Sequence, residues 1–423
     1  MAKPRWSGAQ VRRGWLRGVG ALALMSAGTT GTALAAASHS GTAGRSLVDA
    51  GWWGEWATAE LSPSAELHAT GTSAHDFFGA SVAASGTEVV VGVPYLSGGR
   101  AYVFTEAAKR WRQVAALKGS DVRAGDFFGI SVAVSGPTIV VGANGRDGGT
   151  GRAYVFARTA RGWEQTAELS GPGLQPGDGF GSSVAVWGKT IVVGAPFRGS
   201  FSGVVDVFQR AHKGWRRTAQ LRGSDTLAGD NFGYAVAVSS NNIVIGAPGH
   251  GAGTGRAYVF EPGQGGWRQE SELKGADSVP GDNFGYSVAI SGATLVAGAS
   301  WHGSGTGAGY VFSRSFLGWR QSAELKGTGT VAGDTFGNCV AISGPTIVVG
   351  APLHAKRAGE VYMFQQSVGH WRQVAATRGP DTVAGDAFGT SVAISGATVA
   401  IAASGHNDGR GTVYVLQESP SGT

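Results

Sequence analysis

Four histidines, His250, His302, His354 and His406, stand 52 residues apart in this chain. Imidazole is a common transition-metal ligand, so four at one interval raise the question of a metal ring. The interval itself argues against one. Repeating units packed sheet on sheet lie about 10 Å apart, whereas zinc ligands sit roughly 2.0–2.1 Å from their ion. Neighbouring histidines could share an ion; all four could not. They read either as one repeated position in a polar loop or as points of ligand contact, and no metal or cofactor is expected. Tyr95, Arg146, Phe197, Arg198, Trp301, Lys356 and Arg357 fall in the corresponding segments. Trp301 lies in a Gly/Ser-rich loop that buries a large ring with difficulty, and beside His302 it suits stacking on a sugar or an aromatic group.

The elements that position these residues are copies of one another. Phe-Gly recurs at Phe78, Phe128, Phe180, Phe232, Phe284, Phe336 and Phe388, 50 residues apart once and 52 apart five times. Two residues before each Phe stands an acid: Asp76, Asp126, Asp178, Asp230, Asp282, Asp334 and Asp386. Fourteen residues after each Phe comes a Gly-Ala-Pro-like triplet, as at Gly194-Ala195-Pro196, and six copies carry a tryptophan at one phase, from Trp111 to Trp371. So exact a period over most of a chain governs its fold.

One repeat reads as four strands. In residues 128–169, "FGISVAVS" is a strand and "GP" a turn; "TIVVGAN" is an apolar strand covered on both faces, and "GRDGGTG" a loop. "RAYVFAR" and the alternating "WEQTAEL" complete the unit. Seven such units predict an all-β fold, a seven-bladed β-propeller of four-stranded antiparallel blades, none stable alone. The seven Phe side chains would wedge between blades. The seven Asp would accept backbone hydrogen bonds at the tight entry to each innermost strand, a structural duty that leaves no catalytic role. The last copy stops after "GTVYVLQ" (411–417), while "AELHAT" (65–70) is a fourth strand with no blade before it. The N-terminal strand is therefore expected to complete the last blade.

The first 37 residues are a different material. Lys3, Arg5, Arg12, Arg13 and Arg17 precede a short apolar stretch that ends in small residues around Ala35, the pattern of a secretory signal, and Arg12-Arg13 allows a twin-arginine type. Residues 38–64, with Trp52, Trp53 and Trp56, read as a linker or seam cover, 65–418 as the propeller and 419–423 as a tail. Removing five of the 34 basic residues with the signal leaves 29 against 28 acids, so nucleic acid is not an expected partner. A single cysteine, Cys339, excludes an internal disulfide and replaces the Ser or Ala of other copies. Nothing near the cleavage site or the C-terminus suggests a membrane anchor, and a secreted monomer is expected.

Asp-x-Phe-Gly followed by Gly-Ala-Pro resembles the FG-GAP repeat of the integrin α-subunit head, and in its short bacterial form the resemblance spans about 65–418. Kelch repeats, of similar period, use a Gly-Gly doublet instead. The resemblance implies partner binding through the loops joining strands two and three, where Tyr95, Arg146, Phe197, Arg198, His250, Trp301, His302, His354, Lys356, Arg357 and His406 fall. Its calcium sites do not carry over: the turns between strands one and two ("SGTE", "SGPT", "WGKT", "SSNN" and their like) hold one acid, Glu88, and calcium needs several oxygen ligands. No nucleophile elbow or close metal-ligand pair is legible. The expectation is thus a non-catalytic module for adhesion or recognition that binds a protein or polysaccharide; the alternative is a lectin-like or enzymatic propeller with a pocket at its channel mouth.

Overall fold

Valine, isoleucine and alanine fill the second strand of every repeat, and a strand without polar alternation must be covered on both faces. In the computed structural model, which describes residues 63–417, those strands are buried along nearly their whole length. Strand one of blade two is Ser131–Ser135, strand two Thr138–Ala143, strand three Arg152–Thr159 and strand four Gly162–Leu169. The described residues form seven such four-stranded antiparallel sheets, with strands one of adjacent sheets side by side at the centre. In the seventh sheet Ala65–Leu67 lies outermost, against Thr412–Gln417, in the register Ala65↔Val415 and Leu67↔Val413. The expected signal at 1–37, the expected linker as far as residue 62 with its tryptophans, and the expected tail at 419–423 lie outside the described residues.

The innermost strand starts later than the sequence suggests. "FGISVAVS" reads as one strand from Phe128, yet the ladder begins at Ser131, and only in blade seven does it include the Phe, as Phe388–Ser395. Backbone geometry is the reason. Phe127 has φ 56° and Gly129 φ 94°, so left-handed residues flank Phe128 and disturb the ladder; in blade seven the same pair, Ala387 and Gly389, shows as a register shift between Phe388 and Ser391. A Cβ on Gly129 would come within 2.3 Å of the Arg100 carbonyl oxygen in the preceding blade, and one on Gly142 within 2.0 Å of the Gly181 oxygen in the next. The glycines of the two motifs thus answer one constraint, close backbone approach between blades.

All seven Phe rings of the motif are at most 1% exposed. Each sits among residues of two blades: Phe284 packs with Val259 and Leu273 of blade four and with Val288, Tyr310 and Phe312 of blade five. Side chains also stitch the blades together. The hydroxyls of Ser81, Ser131, Ser183 and Ser287 donate to the carbonyl of the next blade's Phe-Gly glycine at 2.7–2.9 Å. Cys339 makes the same link through its thiol, 2.9 Å from the Gly389 oxygen, and burial pushes that thiol's pKa up to about 12. It is a donor in a serine's place. Ala235 leaves the blade four–five link without a donor, so Ala235→Ser should raise stability by about 0.5–1.5 kcal/mol, read as a higher urea midpoint at unchanged slope.

Candidate functional site

The loops between strands two and three are built around the repeat aspartates. In all seven copies the Asp Oδ2 accepts the backbone N–H three residues earlier, at 2.6–2.9 Å. In blades four to seven the same oxygen meets the Nδ1 of His250, His302, His354 or His406 at 2.7–2.9 Å. A carboxylate only accepts, so Nδ1 carries a proton, and Nε2 faces the other way, 3.3–3.6 Å from a second carboxylate, that of Asp225, Asp277, Glu360 or Asp381. Arg146 and Arg198 occupy this place in blades two and three, with Nε 3.7 and 3.9 Å from Asp126 and Asp178. Blade one, two residues shorter, places Leu96 there, packed on the core. One carboxylate therefore fixes both the entry to the innermost strand and the neighbouring loop.

This geometry separates the sequence-derived candidates. The histidine side chains are only 9–17% exposed, and Arg146 and Arg198 are similarly covered. These side chains hold the loops from inside. Trp301 instead is 48% and Tyr95 38% exposed. Tyr95 stands between Phe77 and Phe127, edge to face with both, at 5.4 and 5.5 Å. Phe197 is half-buried against the exposed Phe201, a ring the sequence reading did not single out. Lys356 is exposed and Arg357 half-buried. Trp187, also exposed, lies on the turn between strands one and two, hence at the opposite end of its blade.

A second set of acids escaped the sequence reading. Asp121, Asp225, Asp277 and Asp381 each accept the hydroxyl of the tyrosine 33 residues on, in strand three: Tyr154, Tyr258, Tyr310 and Tyr414. Burial, and then this bond, push those phenols up. The fixed offset was the available signal, visible only once strand three is aligned with the linker before Phe-Gly. In blade three both partners change: Gly173 stands for the Asp, and Asp206, wholly buried, replaces the tyrosine and accepts from Arg217 Nε at 2.7 Å. No four-histidine cluster forms. Two blades instead gather a mixed set, Asp225, His250 and Glu272 in one and Asp277, His302 and Glu324 in the other, with the ligand atoms of each set within 4.8 Å of one another.

Comparison with known proteins agrees with this architecture. Human integrin alpha-D is 32% identical over 129 residues, 26% of this chain and 11% of that protein, so the match spans about a tenth of the relative's length. The fold is similar to a chain in a crystal structure of the mitotic checkpoint complex, with TM-score 0.55 at 13% identity over 88% of this chain and 99% of that one, a likeness of fold alone. The FG-GAP repeat family model matches seven times, at 62–104, 111–156, 163–208, 215–260, 267–312, 319–364 and 371–416. With that many matches in phase with the blades, the chain belongs to the FG-GAP repeat family.

Proposed function

We propose that this chain is an exported, non-catalytic recognition module that binds a protein or polysaccharide through the loops joining strands two and three. The observation that carries the reading is the contrast within those loops: Arg146, Arg198 and the four histidines are turned inward onto carboxylates, while Trp301, Tyr95 and Phe201 present aromatic surface. Aromatic rings are the side chains that most often anchor protein and sugar ligands. Kinship with the integrin α head supports the same reading by analogy of fold. Export rests on the basic-then-apolar N-terminus, and among the described residues no helix is long and apolar enough to cross a membrane.

The test is a glycan array that includes cell-wall polysaccharides, run with the full chain, Trp301→Ala and Trp187→Ala. Loss of an anchoring ring should weaken binding at least tenfold, about 1.4 kcal/mol, in Trp301→Ala only. Binding lost equally in Trp187→Ala would move recognition to the other end of the blades. No glycan binding by folded protein would leave protein ligands, sought by cross-linking on the same pair of variants.

A second reading has one observation in its favour. Tyr234 and Tyr286, just before the innermost strands of blades four and five, stand with rings 4.9 Å apart where other repeats carry Ala80, Ile130, Ser182, Asn338 or Thr390. Burial pushes both phenols up. A break in the repeat at that position suits a single pocket at the channel mouth. Under this reading Tyr286→Phe would abolish binding that Trp301→Ala leaves intact.

A further inference from the structure

The geometry points to a binding site for a zinc-class divalent cation in blade five, formed by His302 Nε2 with the carboxylates of Asp277 and Glu324. The imidazole is already turned for the task. Its Nδ1 lies 2.9 Å from Asp282 Oδ2, which fixes the tautomer and aims the Nε2 lone pair outward, as a carboxylate behind a metal-binding histidine does. Nε2 is 3.6 Å from Asp277 Oδ2. Ligands roughly 2.0–2.1 Å from a tetrahedral zinc ion stand about 3.3–3.4 Å apart, so the two atoms are spaced as neighbours around one ion. Tyr310 donates to the other Asp277 oxygen, Oδ1, at 2.7 Å, which orients the carboxylate and leaves Oδ2 for the ion. Glu324 approaches from the outer strand, and its half-open setting gives an ion a path from solution.

One imidazole and two carboxylates favour a borderline cation over calcium, which takes six to eight oxygens. The site is also remote from the turns between strands one and two, being at the other end of the blade.

Blade four is a natural control, because it holds the same three ligand types with one difference. There Arg256 Nε lies 2.6 Å from Glu272 and already neutralises it. The equivalent residue in blade five is Ala308, and the cation on Glu324 is the exposed ammonium of Lys326, 2.8 Å away on a flexible stem. A divalent ion displaces a solvated ammonium more readily than a guanidinium held in place. Blade five should therefore bind and blade four should not.

The test is titration of the full chain with Zn²⁺ by calorimetry, repeated with Co²⁺ for its visible absorption. Variants are Glu324→Gln, Ala308→Arg and Arg256→Ala, each checked for folding by its metal-free melting temperature. The expected results are one tight equivalent with tetrahedral-type Co²⁺ bands, affinity at least tenfold weaker in Glu324→Gln and Ala308→Arg, and a second equivalent in Arg256→Ala. Folded protein that binds no Zn²⁺ would overturn the inference, as would tight binding that both Glu324→Gln and Ala308→Arg leave unchanged.

Discussion

Phe284→Ala should lower stability by about 3–5 kcal/mol, read as a large fall in the urea midpoint, whereas Phe316→Ala should leave the midpoint where it is. Phe284 is wholly buried, and Phe316 is 95% exposed on the turn between strands three and four of the same blade. The difference lies in what each ring touches. Phe284 stands 5.4 Å from Tyr310 and 5.9 Å from Phe312, the latter pair nearly perpendicular, while Val259 and Leu273 in the same cluster belong to blade four. Each such aromatic pair contributes about 0.5–1.5 kcal/mol beyond the area it buries. Truncation would leave a cavity that neither blade can close, since both backbones are pinned by glycine approaches such as Gly246 against Gly285. A whole domain is stable by only about 5–15 kcal/mol, so one ring in seven would govern much of the margin. A loss under 1 kcal/mol would show that the blades are held together by other contacts.

The second large effect concerns the outermost strand of blade seven. A chain beginning at Thr72 would lack Leu67, 2% exposed, and the ladder from Ala65 to Leu67 on Thr412–Gln417. It would also lose the two bonds that the Ser64 N–H and hydroxyl donate to the Val415 oxygen, at 2.8 and 3.0 Å. Leu67 alone is worth about 2–5 kcal/mol by the usual cost of emptying a core leucine site. The strand left bare carries Val413, Tyr414, Val415 and Leu416, an apolar edge open to pairing with other chains. A lower melting temperature together with concentration-dependent aggregation on size exclusion is the expected outcome. Leu67→Asp, which keeps the backbone and puts a charge in the buried site, should reproduce the lower melting temperature with less aggregation. Truncated protein that stays monomeric and melts unchanged would show that the ring does not depend on this strand.

The number of blades and the order of their strands were legible because they depend on local, repeated signals: a Phe with a Gly behind it, an apolar run, a turn. The start of the innermost strand was not, because positive φ at residues such as Phe127, Asn231 and Thr335 is imposed by the packed blades and has no constant side chain to announce it. The same limit applied to the site. His302 was visible as a repeated position, but its direction depends on Asp282, 20 residues before it, and on Asp277, five residues earlier still. Asp282 was legible as a repeat acid but not as the partner of His302, and Asp277 stands in a linker that reads as plain loop until the chain has folded back on itself. Trp301 and Tyr95 were legible by the opposite logic, as large rings in segments with nothing nearby in sequence to cover them.

The pairing of Ser64 with Val415 joins residues 351 apart along the chain. A ribosome adds about 5–20 residues per second, so the first of these partners waits roughly 20–70 s for the second to be made. The seventh blade cannot form until both partners exist, and during that interval the waiting strand has no partner of its own. Closing the ring is thus a meeting of the earliest and latest made strands of the propeller, distinct from the blade-by-blade stacking between them.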